Sequence, residues 1–241
     1  MGAALAQQEP VIPDFGEGSD CVTENRLFCP DWVRDNWADV IQPALLEHVK
    51  LTVIAVAIGF AIALAAALVT RRFRLVEHPF VVFSAVVYTI PSLALFQLLV
   101  PITGLTVTTV EIALVGYTLL ILYRNIVEGL RGVPEDVIEA SRAMGLTPRQ
   151  MLWRIELPLA VPAMIAGLRV AVVSTIALAT IAALVIPEGL GYPIFLALRD
   201  AFKTEIIVAG GLAVGLALLA DAGLVLTQRL LTPWTRVRRT A

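Results

Sequence analysis

Four stretches of this chain are so long and so nearly free of charge that only a hydrocarbon interior suits them. They run 51–70 with no charged residue, 79–123 with Glu111 alone, 157–187 with Arg169 alone, and 206–228 with Asp221 alone. A helix needs about 20 predominantly apolar residues to cross roughly 30 Å of hydrocarbon, and each stretch reaches that length. The second is about twice as long as one crossing requires, and Pro101, Thr103 and Gly104 interrupt it, so it reads as two helices joined by a turn. The fold class is therefore all-α and polytopic, with five spans predicted at about 51–70, 79–100, 105–123, 163–187 and 205–228. Composition excludes a soluble domain on the same ground. The chain is 58% hydrophobic and 16% charged, whereas soluble domains carry about 25% charged residues.

Orientation follows from the basic residues. Arg71, Arg72 and Arg74 follow the first span; Arg124, Arg131, Arg142, Arg149 and Arg154 fill the long loop; Arg229, Arg236, Arg238 and Arg239 close the chain. With five spans these twelve fall on one side, and Arg26, Arg34, Lys50, Arg199 and Lys203 fall on the other. The positive-inside rule then places the N-terminus outside and the C-terminus, a basic tail over 231–241, in the cytosol.

Residues 1–50 are polar and acidic and form a predicted extracytoplasmic tail. They contain no apolar core of signal-peptide length, so the first span is expected to direct its own insertion. Residues 4–7, Ala-Leu-Ala-Gln, look like the end of such a peptide, which points to a precursor beginning further upstream. Cys21 and Cys29 both lie in this tail. An oxidising compartment favours a disulfide between them over two free thiols. From Asp31 onward, Val33, Trp37, Val40, Ile41, Ala44 and Leu45 recur at helical spacing, which predicts a helix lying along the outer interface; a solvated linker is the alternative.

The loop 124–162 carries its own start and stop signals. Pro134 suits a first helical turn, and Glu135 and Asp136 place negative charge at the positive end of the dipole. Gly145 accepts the left-handed backbone that ends a helix. Thr147, Pro148 and Gln150 then make a capping box for a second helix with Met151, Leu152 and Ile155 on its apolar stripe and Pro158 as its predicted stop. The expected result is an elbow of two short helices around a glycine.

The same residues carry a resemblance. Glu139-Ala140-Ser141, three residues, Gly145, nine residues, then Ile155-Glu156-Leu157-Pro158 resembles the cytoplasmic EAA loop of ABC importer permeases, with Ser141 where that pattern has a second alanine. The resemblance implies a type I ABC importer permease fold, in a multi-pass protein of the bacterial plasma (inner) membrane. It also implies that the elbow docks in a cleft of an ATP-binding subunit. On that basis Glu139, Ala140, Ser141 and Gly145 form the contact and its turn, and Ile155, Leu157 and Pro158 anchor the loop to the bundle. The chain has no Gly-x4-Gly-Lys-[Ser/Thr] phosphate loop. It is thus expected to be a non-catalytic subunit without a cofactor, while ATP and Mg²⁺ belong to two partner ATPases. A second permease, identical or related, and an extracytoplasmic substrate-binding protein complete the implied assembly, with no nucleic acid. No metal site is expected, since His48 and His78 lie far apart in sequence and no His-Glu-x-x-His occurs.

Three further segments, Tyr88 to Leu95 through Pro91 and Ser92, Tyr123 to Gly129 through Asn125, and Ala166-Gly167-Leu168-Arg169 leading to Gly189-Leu190-Gly191, look like the quaternary-amine branch of these permeases. That branch imports glycine betaine, choline and carnitine. Methionine and other amino-acid importers have a comparable core and form the alternative. The candidate path residues are Tyr88, Pro91, Ser92, Glu111, Tyr117, Ser174, Thr175 and Thr180. Aromatic faces hold desolvated ammonium groups, and small polar residues line a weak path or pack helices. Pro91 is a candidate break in the second span, and Gly189, Gly191 and Pro193 suggest a turn or short re-entrant piece. Arg169 and Asp221 fall at similar depth on two spans and are expected to pair, as a fixed link or a gating contact. Glu111 is expected to attract a cationic cargo or to hydrogen-bond a neighbouring helix. A carrier that needs no ATPase is the competing class, but it leaves the elbow unexplained. A membrane scaffold without transport activity has no sequence feature in its favour.

Overall fold

The computed structural model describes residues 20–234. Residues 4–7 and most of the basic tail, including Arg236, Arg238 and Arg239, lie outside the described residues. Within them the fold is all-helical. Two short helices, α1 (Asp20–Thr23) and α2 (Pro30–Asp35), precede the long α3 (Gln42–Arg72). The bent pair α4 (Glu77–Thr89) and α5 (Ser92–Thr103) follows, then α6 (Val107–Arg131). The elbow is α7 (Glu135–Ala143) and α8 (Pro148–Met151), succeeded by α9 (Leu157–Ala182), α10 (Gly191–Arg199) and α11 (Lys203–Leu231). Four helical runs are long and apolar enough to cross a membrane, and the bent pair brings the number to five if it counts as one span.

The bundle is organised around α6, which packs most extensively on α9 and α3 and is flanked by α4 and α5. Its buried stripe, including Val110, Leu114, Tyr117, Leu122, Tyr123 and Ile126, recurs at three- and four-residue spacing. Where apolar area alone gives no reason for helices to associate, close approach through small residues does. Gly59 of α3 lies against Thr118 of α6, and Gly129 of α6 against Ala160 and Ala163 of α9. Gly167 of α9 meets Asn125 of α6 so closely that an added Cβ would stand 2.6 Å from the Asn125 Cβ.

Three sequence expectations need correction. The stretch 79–100, read as one span, is two helices meeting at 104° across Ile90 and Pro91. Proline fixes its own φ and removes a donor, so the ladder stops there and restarts at Ser92. The helix expected to lie apart on the outer interface instead continues through a wide π-type turn, Trp37–Ile41, straight into α3, giving one run Trp37–Arg72. The helix therefore passes residue 50 without a break. Pro158 likewise does not end the second elbow helix, because the run Pro148–Ala182 is continuous. A π-type turn over Leu152–Glu156 widens the register just before Pro158, where the missing N–H would otherwise interrupt it.

Cys21 and Cys29 are joined by a disulfide. The loop they close rests on the start of α11: the Asn25 side chain accepts from the Lys203 N–H at 3.0 Å and donates to the Ala201 carbonyl at 2.9 Å. Thr204 Oγ1 donates to the Arg26 carbonyl, and Trp32 meets Phe202 edge-on.

Tight packing at Gly167 gives a direct test. Gly167→Leu is expected to lower stability by about 1–3 kcal/mol through overpacking, read as a lower melting temperature in mild detergent. Gly215→Ala on α11, where an added Cβ meets nothing within 4 Å, is expected to be neutral or stabilising by up to about 1 kcal/mol. Equal melting temperatures for the two variants would contradict the α6–α9 packing described.

Candidate functional site

At the break between α4 and α5 the chain must satisfy backbone groups that the helix no longer covers. The Tyr117 hydroxyl of α6 donates to the Ile90 carbonyl, and Thr89 Oγ1 donates to Val86 at 2.8 Å. Tyr88 and Tyr117 stand edge to face with centroids 6.2 Å apart. Together with α9 the break lines an open-sided cavity of about 450 Å³. Six of the eight sequence-predicted path residues, Tyr88, Pro91, Ser92, Tyr117, Ser174 and Thr175, line it. None of its lining residues carries a formal charge.

The other two lie elsewhere. Thr180 donates to the Ile176 carbonyl at 3.2 Å and is held one turn further along α9. Glu111 faces a separate apolar cavity lined by Ile54, Val87, Leu95 and Ile112, and neither of its carboxylate oxygens has a hydrogen-bond partner. The expectation that it hydrogen-bonds a neighbouring helix is therefore corrected: no partner lies within reach among the described residues.

At the far end of α9 a clamp appears that sequence reasoning missed. Gly189, at φ +74°, donates its N–H to Glu47 at 3.0 Å. The Leu190 N–H donates to His48 Nδ1 at 3.2 Å, which fixes Nε2 as the protonated nitrogen and aims it at the Ile176 carbonyl, 3.0 Å away. His48 is fully buried. Gly191 abuts the Thr180 carbonyl so closely that any side chain would collide with it. The two glycines were legible as a turn leading into α10. The histidine that receives them is more than a hundred residues away in sequence and gave no local signal.

The elbow lies at the opposite end of α9. Glu135 and Asp136 occupy the first turn of α7. Gly145 adopts φ +81° beyond its end, with Leu146 N–H returning to the Ser141 carbonyl at 3.2 Å. Thr147 and Gln150 form the capping box, each side chain meeting the other's backbone N–H. Glu139, Ala140 and Gly145 are exposed, as is Met144 at 69%. Ser141 faces inward with its hydroxyl on the Val137 carbonyl at 2.7 Å. Ile155, Leu157 and Pro158 are half-buried where the elbow enters α9. Glu156 between them is buried and forms a two-pronged ion pair with Arg71 at the end of α3. Arg131 at the end of α6 binds both oxygens of Glu77, at 2.7 and 2.8 Å. These two pairs tie the elbow end of α3, α4, α6 and α9 together. Glu156 sits inside the recognised Ile-x-Leu-Pro run and was passed over because the resemblance leaves its position open.

Arg169 of α9 and Asp221 of α11 meet in parallel, Nε to Oδ1 at 2.6 Å and Nη2 to Oδ2 at 2.9 Å. This bidentate geometry fits a planar guanidinium to a carboxylate.

Comparison with known proteins gives the family and the fold. The chain belongs to the family of binding-protein-dependent transport system inner membrane components, whose pattern spans residues 55–237. It is 31% identical over 188 residues to the glycine betaine/carnitine/choline transport system permease protein OpuCB of Bacillus subtilis, covering 78% of this chain and 86% of that protein. It is 42% identical over 135 residues to the ergothioneine transport permease/ergothioneine binding protein EgtU of Helicobacter pylori, which is 56% of this chain and 24% of that longer protein. A chain of the MetNI methionine ABC transporter in an inward-facing conformation shares the fold, with a TM-score of 0.68 at 20% identity over 89% of this chain and all of that one.

If the Arg169–Asp221 pair is what holds α11 to α9, Asp221→Ala should lower the melting temperature and the yield of folded protein. The exchanged double variant Arg169→Asp with Asp221→Arg should recover much of the loss, measured by size-exclusion profile after heating. Exchange that is as damaging as the single change would show that position, not pairing, matters.

Proposed function

We propose that this chain is the membrane-spanning subunit of an ATP-driven importer for quaternary-amine compatible solutes of the glycine betaine, choline and carnitine type. The observation that carries the coupling is the unbroken helix Pro148–Ala182, which begins at the elbow and ends beside the cavity, carrying Ser174 and Thr175. A push on the elbow is carried along that helix, which runs without a break in its course although Pro158 and Pro162 each withhold one N–H from its ladder. The ion pair Glu156–Arg71 passes the same motion to α3.

In this reading the chain crosses the inner membrane five times with its N-terminus outside and its C-terminus in the cytosol, and the elbow faces the cytosol. Glu139, Ala140 and Gly145 present the surface that enters a cleft of the ATPase, with Ser141 buried behind them; Ile155, Leu157 and Pro158 fix the elbow to the bundle. A short helix of this length, about 14 Å, seats in a groove through one face. Two ATPase subunits hold ATP and Mg²⁺, a second permease copy or paralogue supplies the other half of the path, and a separate binding protein delivers cargo from outside. This subunit catalyses nothing itself. The substrate class rests on the relatives' names and on the uncharged, tyrosine-walled cavity. The likeness to the methionine transporter supports the fold only.

Gly145→Pro, which cannot adopt the positive φ, and Glu139→Lys, which reverses charge on the exposed face of α7, are each expected to abolish co-purification of an ATP-binding subunit and ATP-dependent uptake. Mass spectrometry of the complex extracted in mild detergent reads the first, and radiolabelled glycine betaine uptake the second. Normal uptake in both variants would instead favour a carrier that works without an ATPase.

A further inference from the structure

The cavity at the α4–α5 break has a chemical polarity that its lining residues reveal one by one. Hydroxyls inside lipid-embedded helices ordinarily bond back to a carbonyl one turn earlier, and here Thr52, Ser84, Thr89, Thr118 and Thr180 do so. Ser92, Ser174 and Thr175 make no hydrogen bond among the described residues, and all three line the cavity. Thr175 is only 1% exposed. Ser92 and Ser174 are half-buried, so the three hydroxyls face the cavity rather than the packed interior and are free to bond a polar occupant.

The backbone sorts that occupant's charges. The first N–H groups of α5, at Ser92, Leu93 and Ala94, have no intrahelical partner, and Pro91 before them provides no side-chain cap. They form a positive end of a twelve-residue helix. The last carbonyls of α4 form the negative end of the other half, a few residues away at 104°. Beside that negative end stand the Tyr88 and Tyr117 rings, with Tyr117 held in place by its bond to Ile90. With no formal charge in the lining, a bare cation would enter uncompensated, whereas a neutral molecule with two opposite charges matches both helix ends.

We infer that this cavity is a transit site within the membrane for a zwitterion. Its quaternary ammonium group lies against Tyr88, Tyr117 and the end of α4, and its carboxylate against the start of α5 with Ser92, Ser174 and Thr175. The inference rests on the importer function proposed above and goes beyond it: the permease itself discriminates, preferring a zwitterionic cargo to a cation such as choline. The volume of about 450 Å³ lies within the roughly 300–1,000 Å³ of small-molecule sites.

The test is ATP-driven uptake by the complete importer in proteoliposomes, with glycine betaine and choline measured side by side. Assembly of every variant is checked by size exclusion. Tyr88→Ala is expected to lower uptake of both cargoes about tenfold, and Tyr88→Phe, which keeps the ring, to stay within about twofold of the parent. The double variant Ser92→Ala with Thr175→Val, which removes hydroxyls at nearly constant volume, is expected to lower glycine betaine uptake about tenfold while choline uptake changes by less than about twofold. An assembled double variant that treats both cargoes alike, or an unaffected Tyr88→Ala, overturns the transit site while leaving the importer intact. A parent complex that imports no quaternary amine overturns the proposed function and this inference with it.

Discussion

A helix broken inside hydrocarbon has no water to complete its hydrogen bonds, and the way this chain meets that constraint shapes everything near the cavity. Pro91 ends the ladder of α4 and opens that of α5, so carbonyls and amides appear where lipid cannot satisfy them. Tyr117 answers one of them directly. For its hydroxyl to reach Ile90, α6 must pass within one side chain's length of the break, and α6 is placed there by its glycine and small-residue contacts with α3 and α9. The packing of the bundle and the chemistry of the cavity are therefore one problem. Irregular backbone is tolerated at membrane depth where it lines a cavity, and in this chain that is the place where the aromatic and hydroxyl side chains collect.

The polar contacts that cross between helices gather on α9. Its elbow end is secured by Glu156 and Arg71, its middle carries Arg169 to α11, and beyond them Ser174 and Thr175 face the cavity. Its last turns support the clamp in which Ile176 receives His48 and Thr180 abuts Gly191. The elbow, the hydroxyls and the clamp thus share one helical run, and its lateral contacts join it to α3 at both ends and to α11 in the middle. The Thr147–Gln150 box and the left-handed Gly145 remove slack just before the run begins.

Local signals in the sequence were read well because their physics is local. The apolar stretches, the capping box and the glycine turn of the elbow each depend on residues within a few positions of one another. The Tyr88, Pro91, Ser92, Tyr117, Ser174 and Thr175 set was recoverable because aromatic and small polar residues are rare enough in apolar helices to be noticed singly, although nothing local said they would converge. What was not legible depended on distance or on ambiguity. Proline reads alike as a stop and as a first-turn residue, so Pro158 was taken to end a helix that a widened turn carries past it. The Trp37–Ile41 turn likewise joined a tail helix to α3 where polarity suggested a separate piece. Glu47 and His48 looked like ordinary polar residues before a span, because their partners at Gly189 and Leu190 come from the other half of the chain.

Helix α11 shows what replaces burial when a span has little of it. Only 6% of its most apolar window is buried, and additional Cβ atoms at Gly210, Gly211, Gly215 and Gly223 would meet nothing nearby. Lipid solvates such a surface as well as protein does, so apolar contact alone cannot fix the helix in register. Polar attachments help to do so instead. Asn25 caps its first turn from the disulfide-closed loop, and Asp221 grips Arg169 midway along. A carboxylate in hydrocarbon has few alternatives to a guanidinium, and an amide capping an orphan N–H has none nearby, so each contact is directional where packing is not. The helix keeps its packing on α9 and α10 on one side, while its glycine-bearing face stays open.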